Sequence, residues 1–170
     1  MLFRSMSLVH EKLYQSVNLA DINFGDYIKS LANSLFRSYG TKGKIALKVE
    51  CEDVRIPIDS AIPCGLILNE LISNSLKHAF PEDPPLPLQR RGGEINIFLR
   101  STGDEIELVV SDNGVGIPEG LDFRNTESLG LHLVTILAEG QLHGKIELER
   151  TAGTSFRIRF DKKGSACFRK

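Results

Sequence analysis

Leu68-Asn69-Glu70-Leu71-Ile72-Ser73-Asn74-Ser75-Leu76-Lys77-His78-Ala79 is the stretch whose reading decides the fold of this chain. At about 100° per residue, Glu70, Asn74, Lys77 and His78 fall within an arc of roughly 100°, while Leu68, Ile72, Leu76 and Ala79 take the opposite side. The second set is the face a helix turns to a core. The first puts a carboxylate, an amide oxygen, an ammonium and an imidazole on one stripe. That set suits a magnesium-bound phosphate chain held beside a general base. Taken alone, the same stripe also reads as a solvated face of mixed charge.

Three glycine-containing segments downstream decide between these readings. Asp112-Asn113-Gly114-Val115-Gly116-Ile117 follows a strand-like run, Ile106 to Val110. Ser128-Leu129-Gly130-Leu131-His132 opens a second helix, and Gly153-Thr154-Ser155-Phe156 opens a last strand. An Asp-x-Gly-x-Gly turn alone says little, because such turns are common between strands. The helix and the three segments, in this order and at this spacing, are specific.

With these four motifs the chain resembles the ATP-binding domain shared by histidine kinases, DNA gyrase, MutL and the ninety-kilodalton heat-shock chaperones. Glu70 to Ala79 is similar to that family's N box, Asp112 to Gly116 to its first glycine box, Gly130 to the second, and Gly153-Thr154 to the third. The resemblance covers roughly residues 24 to 160. Glu-Leu-x-x-Asn-x-x-Lys-His-Ala-Phe with the later Ser-Leu-Gly-Leu is most similar to histidine kinases with a short ATP lid. The implied fold is a two-layer α/β sandwich, a mixed sheet with helices on one face, and its other face exposed or turned to a partner.

The resemblance also implies roles. Asn74 would give its side-chain oxygen to Mg²⁺, a hard cation that prefers oxygen ligands; the other reading is a structural amide capping nearby backbone. Glu70 would accept or orient a proton of the attacking group, or stand as a solvated or ion-paired carboxylate. Lys77 would neutralise phosphate charge and His78 would line the nucleotide edge, although either also fits a plain surface role. Asp112 would accept the adenine amino group, because a carboxylate ending an apolar strand needs a donor; turn capping is its alternative. Gly114 and Gly116 would let the backbone approach the base. Gly130 and Leu131 would bring phosphates close to a helix N-terminus, whose free N–H groups favour anions. Thr154 would bond near the adenine, through a bridging water. The second glycine box departs from the broader family, because Ser128 and Leu129 stand before Gly130 and thirteen residues, Ile117 to Leu129, separate it from Gly116.

Composition bounds the rest. The 170 residues suit one substantial domain and an appendage, and 41% apolar with 25% charged content is ordinary for a globular protein. A net charge of −1, without a long basic run, gives no support for nucleic-acid binding. No apolar stretch is long enough to span a bilayer and no signal peptide is evident, so direct membrane contact is not expected. Cys51, Cys64 and Cys167 are widely spaced and lack a metal-ligand pattern, which reads as a reducing, cytoplasmic setting.

Along the chain, Met1 to Ser16 has a helical apolar stripe: Leu2, Met6, Val9 and Leu13. Asp21-Ile22-Asn23 supplies caps for a helix over roughly residues 24 to 39, Ile45 to Cys51 alternates as a strand, and Arg55 to Ile58 reads as a short second strand. Pro81 to Gly93 is proline-dense and reads as a surface insertion or a docking loop. A hairpin is expected from Ile95–Leu99 and Ile106–Val110 around Thr102-Gly103-Asp104, then a helix from Leu131 to Glu139, then strands at 145–149 and 155–160. His10-Glu11 has the look of a phosphoacceptor, but only one further helix precedes the first strand. In the family, His-Glu-Lys-Leu-Tyr resembles the end of the second dimerisation helix. Residues 1–20 thus read as a stub of that helix with a linker, 21–160 as the ATP-binding domain and 161–170 as a polar tail. The expected protein is the Mg-ATP-binding catalytic domain of a sensor histidine kinase, acting on a histidine of a dimerisation helix absent from this chain, with a response regulator downstream. The parent kinase would be a homodimer and this fragment at most weakly dimeric. The alternatives are a non-catalytic ATP-binding regulatory module and a serine kinase of the anti-sigma type.

Overall fold

Asn23 and Gly40 set the bounds of the first helix by local chemistry. The Asn23 side-chain oxygen accepts the Asp26 backbone N–H at 3.1 Å, and Gly40 ends the helix at φ 58°. Between them Phe24, Ile28, Leu31 and Leu35 form one buried stripe. A computed structural model describes residues 22–40, 45–81, 92–124 and 129–162. Its elements in chain order are β1 (Ile22–Asn23), α1 (Phe24–Tyr39), β2 (Ile45–Cys51), β3 (Arg55–Ile56), α2 (Ile58–Asn74), β4 (Gly93–Thr102), β5 (Glu105–Asp112), α3 (Leu129–Thr135), β6 (Lys145–Glu149) and β7 (Thr154–Asp161). Helix α2 widens into a π turn at Ser75–Ala79, and α3 does the same at Ile136–Gln141. The stub, most of the proline-dense loop and the polar tail beyond residue 162 lie outside the described residues.

The main sheet has strand order β2-β4-β5-β7-β6. Strand β2 runs parallel to β4, and every other pair is antiparallel. A parallel pair needs a crossover, and α2 lies within it. The β4–β5 hairpin turns on Gly103-Asp104, with Gly103 at φ 64° supplying the left-handed residue that two-residue hairpins favour. The mixed α/β sandwich expected from the sequence is the fold found.

Alternation puts Ile95, Ile97 and Leu99 of β4, Ile106, Leu108 and Val110 of β5, and Phe156, Ile158 and Phe160 of β7 on the helix-covered face. Each buried aliphatic side chain there contributes about 1.5–3 kcal/mol. The other face is charged. Glu107 lies at its centre under Arg100, Arg157 and Arg159, and Lys48 pairs with Glu94 at 2.6 Å. Strands β1 and β3 form a separate antiparallel pair that clips the start of α1 to the entry of α2. Phe24 N–H donates to the Val54 carbonyl at 2.8 Å, and Asn23 Nδ2 to Asp53 at 2.9 Å.

Several boundaries differ from expectation: the strand read over Arg55 to Ile58 ends at Ile56, and β5 and β7 are each longer than expected at both ends. Helix α2 begins ten residues before Leu68, at Ile58, despite Pro63 in its second turn. The more exposed side of its first turns is mostly apolar, Ile62 and Leu66 beside a lone exposed Asp59, so no polar stripe announces a helix. The second helix runs from Leu129 and ends in the π turn at Gln141 rather than at Glu139. Strand β4 is longer than Ile95–Leu99 at both ends, since it pairs with β2 on one side and β5 on the other. Of the predicted core face, Leu68, Ile72 and Ala79 are buried, whereas Leu76 is only half-buried because the helix widens beneath it.

Candidate functional site

The site forms where β5 ends and β7 begins, beside the π turn of α2. Asp112 is the last residue of β5 and pairs in register with Thr154, the first of β7. The wider turn at Ser75 brings its hydroxyl to Asp112, where Ser75 Oγ donates to Oδ2 at 2.6 Å. Such π segments gather at functional sites because they re-aim side chains. The other oxygen, Oδ1, accepts the backbone N–H of Gly114 at 3.0 Å and of Thr154 at 3.3 Å. The carboxylate is only 6% exposed, so these donors satisfy a group otherwise costly to bury. The turn-capping reading of Asp112 is the one these bonds describe, and the residue also lines the pocket described below.

Close backbone approach explains two of the glycines. Val115 N–H donates to the Ala79 carbonyl at 2.9 Å, and a Cβ on Gly114 would run into that same carbonyl. Gly153, at φ 108°, lies against the Asp112 carbonyl where no side chain fits. Asn113 anchors the loop from outside, accepting Glu94 N–H at 2.7 Å and donating to the Gly92 carbonyl at 3.0 Å.

These contacts enclose a cavity of about 250 Å³. That is slightly below the roughly 300–1,000 Å³ usual for small-molecule sites. Asn74, His78, Asp112, Gly116, Leu131 and Thr154 line it, six of the residues singled out from sequence. The other four stand outside its lining. Gly114 carries the loop. Lys77 is exposed next to the rim. Glu70 and Gly130 meet one another, the Glu70 carboxylate lying 2.8 Å from the position a Cβ on Gly130 would take. Gly130 thus makes room for Glu70 where α3 crosses α2. The Asn74 amide nitrogen lies 3.8 Å from the same point, so Glu70 and Asn74 flank one corner of the site. Asn69, buried behind them, donates to Glu70 at 3.2 Å and has its own oxygen without a hydrogen-bond partner.

Sequence reasoning missed the apolar lining and Ser75. Val110 and Phe156 lie two residues from Asp112 and Thr154 along their strands, so a period of two could have found them. Leu71, Ile117, Pro118 and Leu121 complete the apolar wall. Nothing in the sequence flags Ser75, because its place depends on the π turn. A pocket with one buried carboxylate amid apolar walls suits a flat ring bearing an amino group. Asn74, which lines the pocket, carries the kind of hard oxygen that Mg²⁺ takes in ones or twos beside water and phosphate.

Comparisons with known proteins point the same way. Residues 59–164 match the family described as histidine kinase-, DNA gyrase B-, and HSP90-like ATPase, and residues 3–39 match a family described as histidine kinase. The chain is 29% identical over 136 residues to blue-light-activated histidine kinase 2 of Erythrobacter litoralis, covering 75% of this chain and 37% of that protein. To the sensor histidine kinase PdtaS of Mycobacterium tuberculosis it is 26% identical over 157 residues, covering 91% of this chain and 30% of that one. It thus spans about a third of the length of these curated relatives. Among solved structures, the histidine kinase domain of the Erythrobacter litoralis EL346 blue-light-activated kinase superposes with a TM-score of 0.78 at 25% identity, covering 94% of this chain and 72% of that one. The catalytic domain of histidine kinase ThkA gives 0.69 at 25% identity, covering 88% of this chain and all of that one. The chain belongs to the histidine kinase-, DNA gyrase B-, and HSP90-like ATPase family.

Proposed function

We propose that this domain binds Mg-ATP in the pocket between α2 and the glycine loops and serves as the catalytic domain of a sensor histidine kinase. The γ-phosphoryl group would pass to a histidine on a dimerisation helix of the parent dimer, and from there to a response regulator. The observation that carries the reading is Asp112. Its carboxylate is buried and held by neutral donors alone, with Oδ2 left to accept the adenine amino group. Thr154 stands beside it, and the walls formed by Leu71, Val110 and Phe156 suit the faces of the base. Asn74 would give an oxygen to the magnesium, whose charge offsets that of the phosphates. Lys77, exposed next to the rim, reaches the same phosphates. Glu70, held by Asn69, would orient the incoming imidazole. Phosphoryl transfer needs mainly position and charge neutralisation, and these groups supply both.

Residues 1–20 read, in this scheme, as the end of a dimerisation helix, with His10 beyond the acceptor. Two measurements test the proposal. Calorimetry with Mg-ATP and Mg-GTP should give tighter ATP binding by tenfold or more, because guanine presents a carbonyl where adenine presents its amino group. Equal affinities would overturn the Asp112 assignment. Incubation with radiolabelled ATP should leave His10 unlabelled, and acid-labile, base-stable label there would overturn the assignment of residues 1–20.

A further inference from the structure

Ile117, Pro118 and Leu121 close one side of the pocket without belonging to a helix or strand. A turn closes on itself there, Leu121 N–H donating to the Pro118 carbonyl at 3.1 Å. Surface loops of this kind are ordinarily mobile. This one is tied to the edge strand β6 by two arginines acting in opposite directions. Arg150, just past the end of β6, donates Nη2–H to the Leu121 carbonyl at 2.8 Å. Arg124, three residues beyond Leu121, donates Nη2–H to the Ile146 carbonyl of β6 at 2.8 Å. Its guanidinium also reaches Glu139 at 3.2 Å. Between the two ties Phe123 is buried. It stands edge-on to Phe156, with centroids 5.6 Å apart, under the Arg124 guanidinium at 4.6 Å. Phe156 itself lines the pocket. Arg150 Nε is buried with no hydrogen-bond partner among the described residues, a cost that the bond to Leu121 must outweigh.

We propose that Arg124 and Arg150 are positioning residues that hold the Ile117–Leu121 wall of the pocket in its binding shape before nucleotide arrives. The inference rests on the reading of this pocket as the ATP site. Neither arginine lines the cavity. Their action is to order the wall on folding, so that the entropy of ordering it is not lost again on binding. Loss of both ties would leave the sheet and helices intact and free the wall.

Hydrogen exchange on the nucleotide-free chain, with calorimetry on the same samples, tests this. In Arg124→Ala/Arg150→Ala, amides within residues 117–123 should exchange at least tenfold faster, while those of β4 and β5 keep their rates. Affinity for ATP, ADP and adenosine should fall by a common factor of about ten, because the wall flanks the base end of the pocket. Arg150→Lys and Arg124→Gln, milder changes for use if the double variant fails to fold, should show the same pattern at about threefold. Unchanged exchange in the wall, or faster exchange with ATP affinity intact, would overturn the proposal. Failure of the unaltered protein to bind ATP is a separate result, which sinks the reading of the pocket and this proposal with it.

Discussion

Strand β5 carries two buried carboxylates, five residues apart and on opposite faces of the sheet. Glu107 is 7% exposed and Asp112 6%. Glu107 faces three guanidiniums, Arg159 at 3.0 Å, Arg100 at 2.8 Å and Arg157 at 3.6 Å. Asp112 meets none, only a hydroxyl and two backbone N–H groups. Equal burial thus has opposite consequences. Glu107 is saturated by charge and stays within the fold, as one rung of a ladder in which Arg159 also reaches Glu147 and Arg157 also reaches Glu149. Asp112 is held by neutral donors alone and lines the pocket, where, in the function proposed above, it meets the amino group of a ligand. Neutral satisfaction, more than burial, separates a site from a strut.

The contrast breaks most sharply at Asp112→Asn. Asparagine keeps Oδ1 for Gly114 and Thr154, and its amide can donate to Ser75, so the fold should survive. The amide would then oppose the adenine amino group, donor against donor. Loss of one charged hydrogen bond costs about 1.5–3 kcal/mol, one to two decades of ATP affinity. Calorimetry reads this directly, and an affinity within twofold of the parent would end the assignment.

Glu107→Gln should do the reverse, leaving ATP affinity alone and lowering stability by about 1–3 kcal/mol, the worth of charge-assisted hydrogen bonds. Burial raises the pKa of Glu107, but the Arg159 hydrogen bond and the charges of Arg100, Arg157 and Arg159 outweigh it and hold the carboxyl below its usual range. A depressed folded pKa means that this stability is complete above the unfolded value of about 4.3 and is lost as pH falls through the folded one. Denaturation of parent and variant should therefore differ most near neutrality and converge in acid. A gap that widens below pH 4 would show that the arginines do not hold Glu107 ionised.

Ser75→Ala sharpens the comparison with the smallest effect. It removes one neutral donor from Asp112, worth about 0.5–1.5 kcal/mol, and leaves the carboxylate in place. Nucleotide affinity should change by less than tenfold in the same titration. A loss as large as that of Asp112→Asn would make Ser75 a direct nucleotide contact rather than a support.

The legible parts of the fold were those with local causes. Strand β2 was bounded by its period of two, and the start of α1 by the capping segment Asp21-Ile22-Asn23. The start of α2 was hidden because Ile58 to Leu68 is apolar on nearly every side, half-buried Ile62 and Leu66 included, and is interrupted by Pro63. At the site, Asp112 and the glycines could be read because only those residue types suit a buried acceptor or a close backbone pass. The stripe argument placed Glu70 and Asn74 on one face correctly but could not give depth, and Glu70 lies under Gly130 instead of in the lining. Ser75 was unreadable, since a wheel drawn at constant angle does not anticipate a turn that widens at that residue.

The clip of β1 against β3 has a mechanical consequence. Two paired residues on each side, with Phe24 bonded to Val54 and Asn23 to Asp53, join the chain ahead of α1 to the segment that leads into α2. A twist or pull arriving from residues before Ile22 therefore has a short load path to the root of α2, and along that helix to Asn74, Ser75 and the pocket they line. The same segment is anchored in the sheet as well, since it follows β2 directly and Glu52 N–H donates to the Leu99 carbonyl of β4 at 3.0 Å, so helix and sheet share one root.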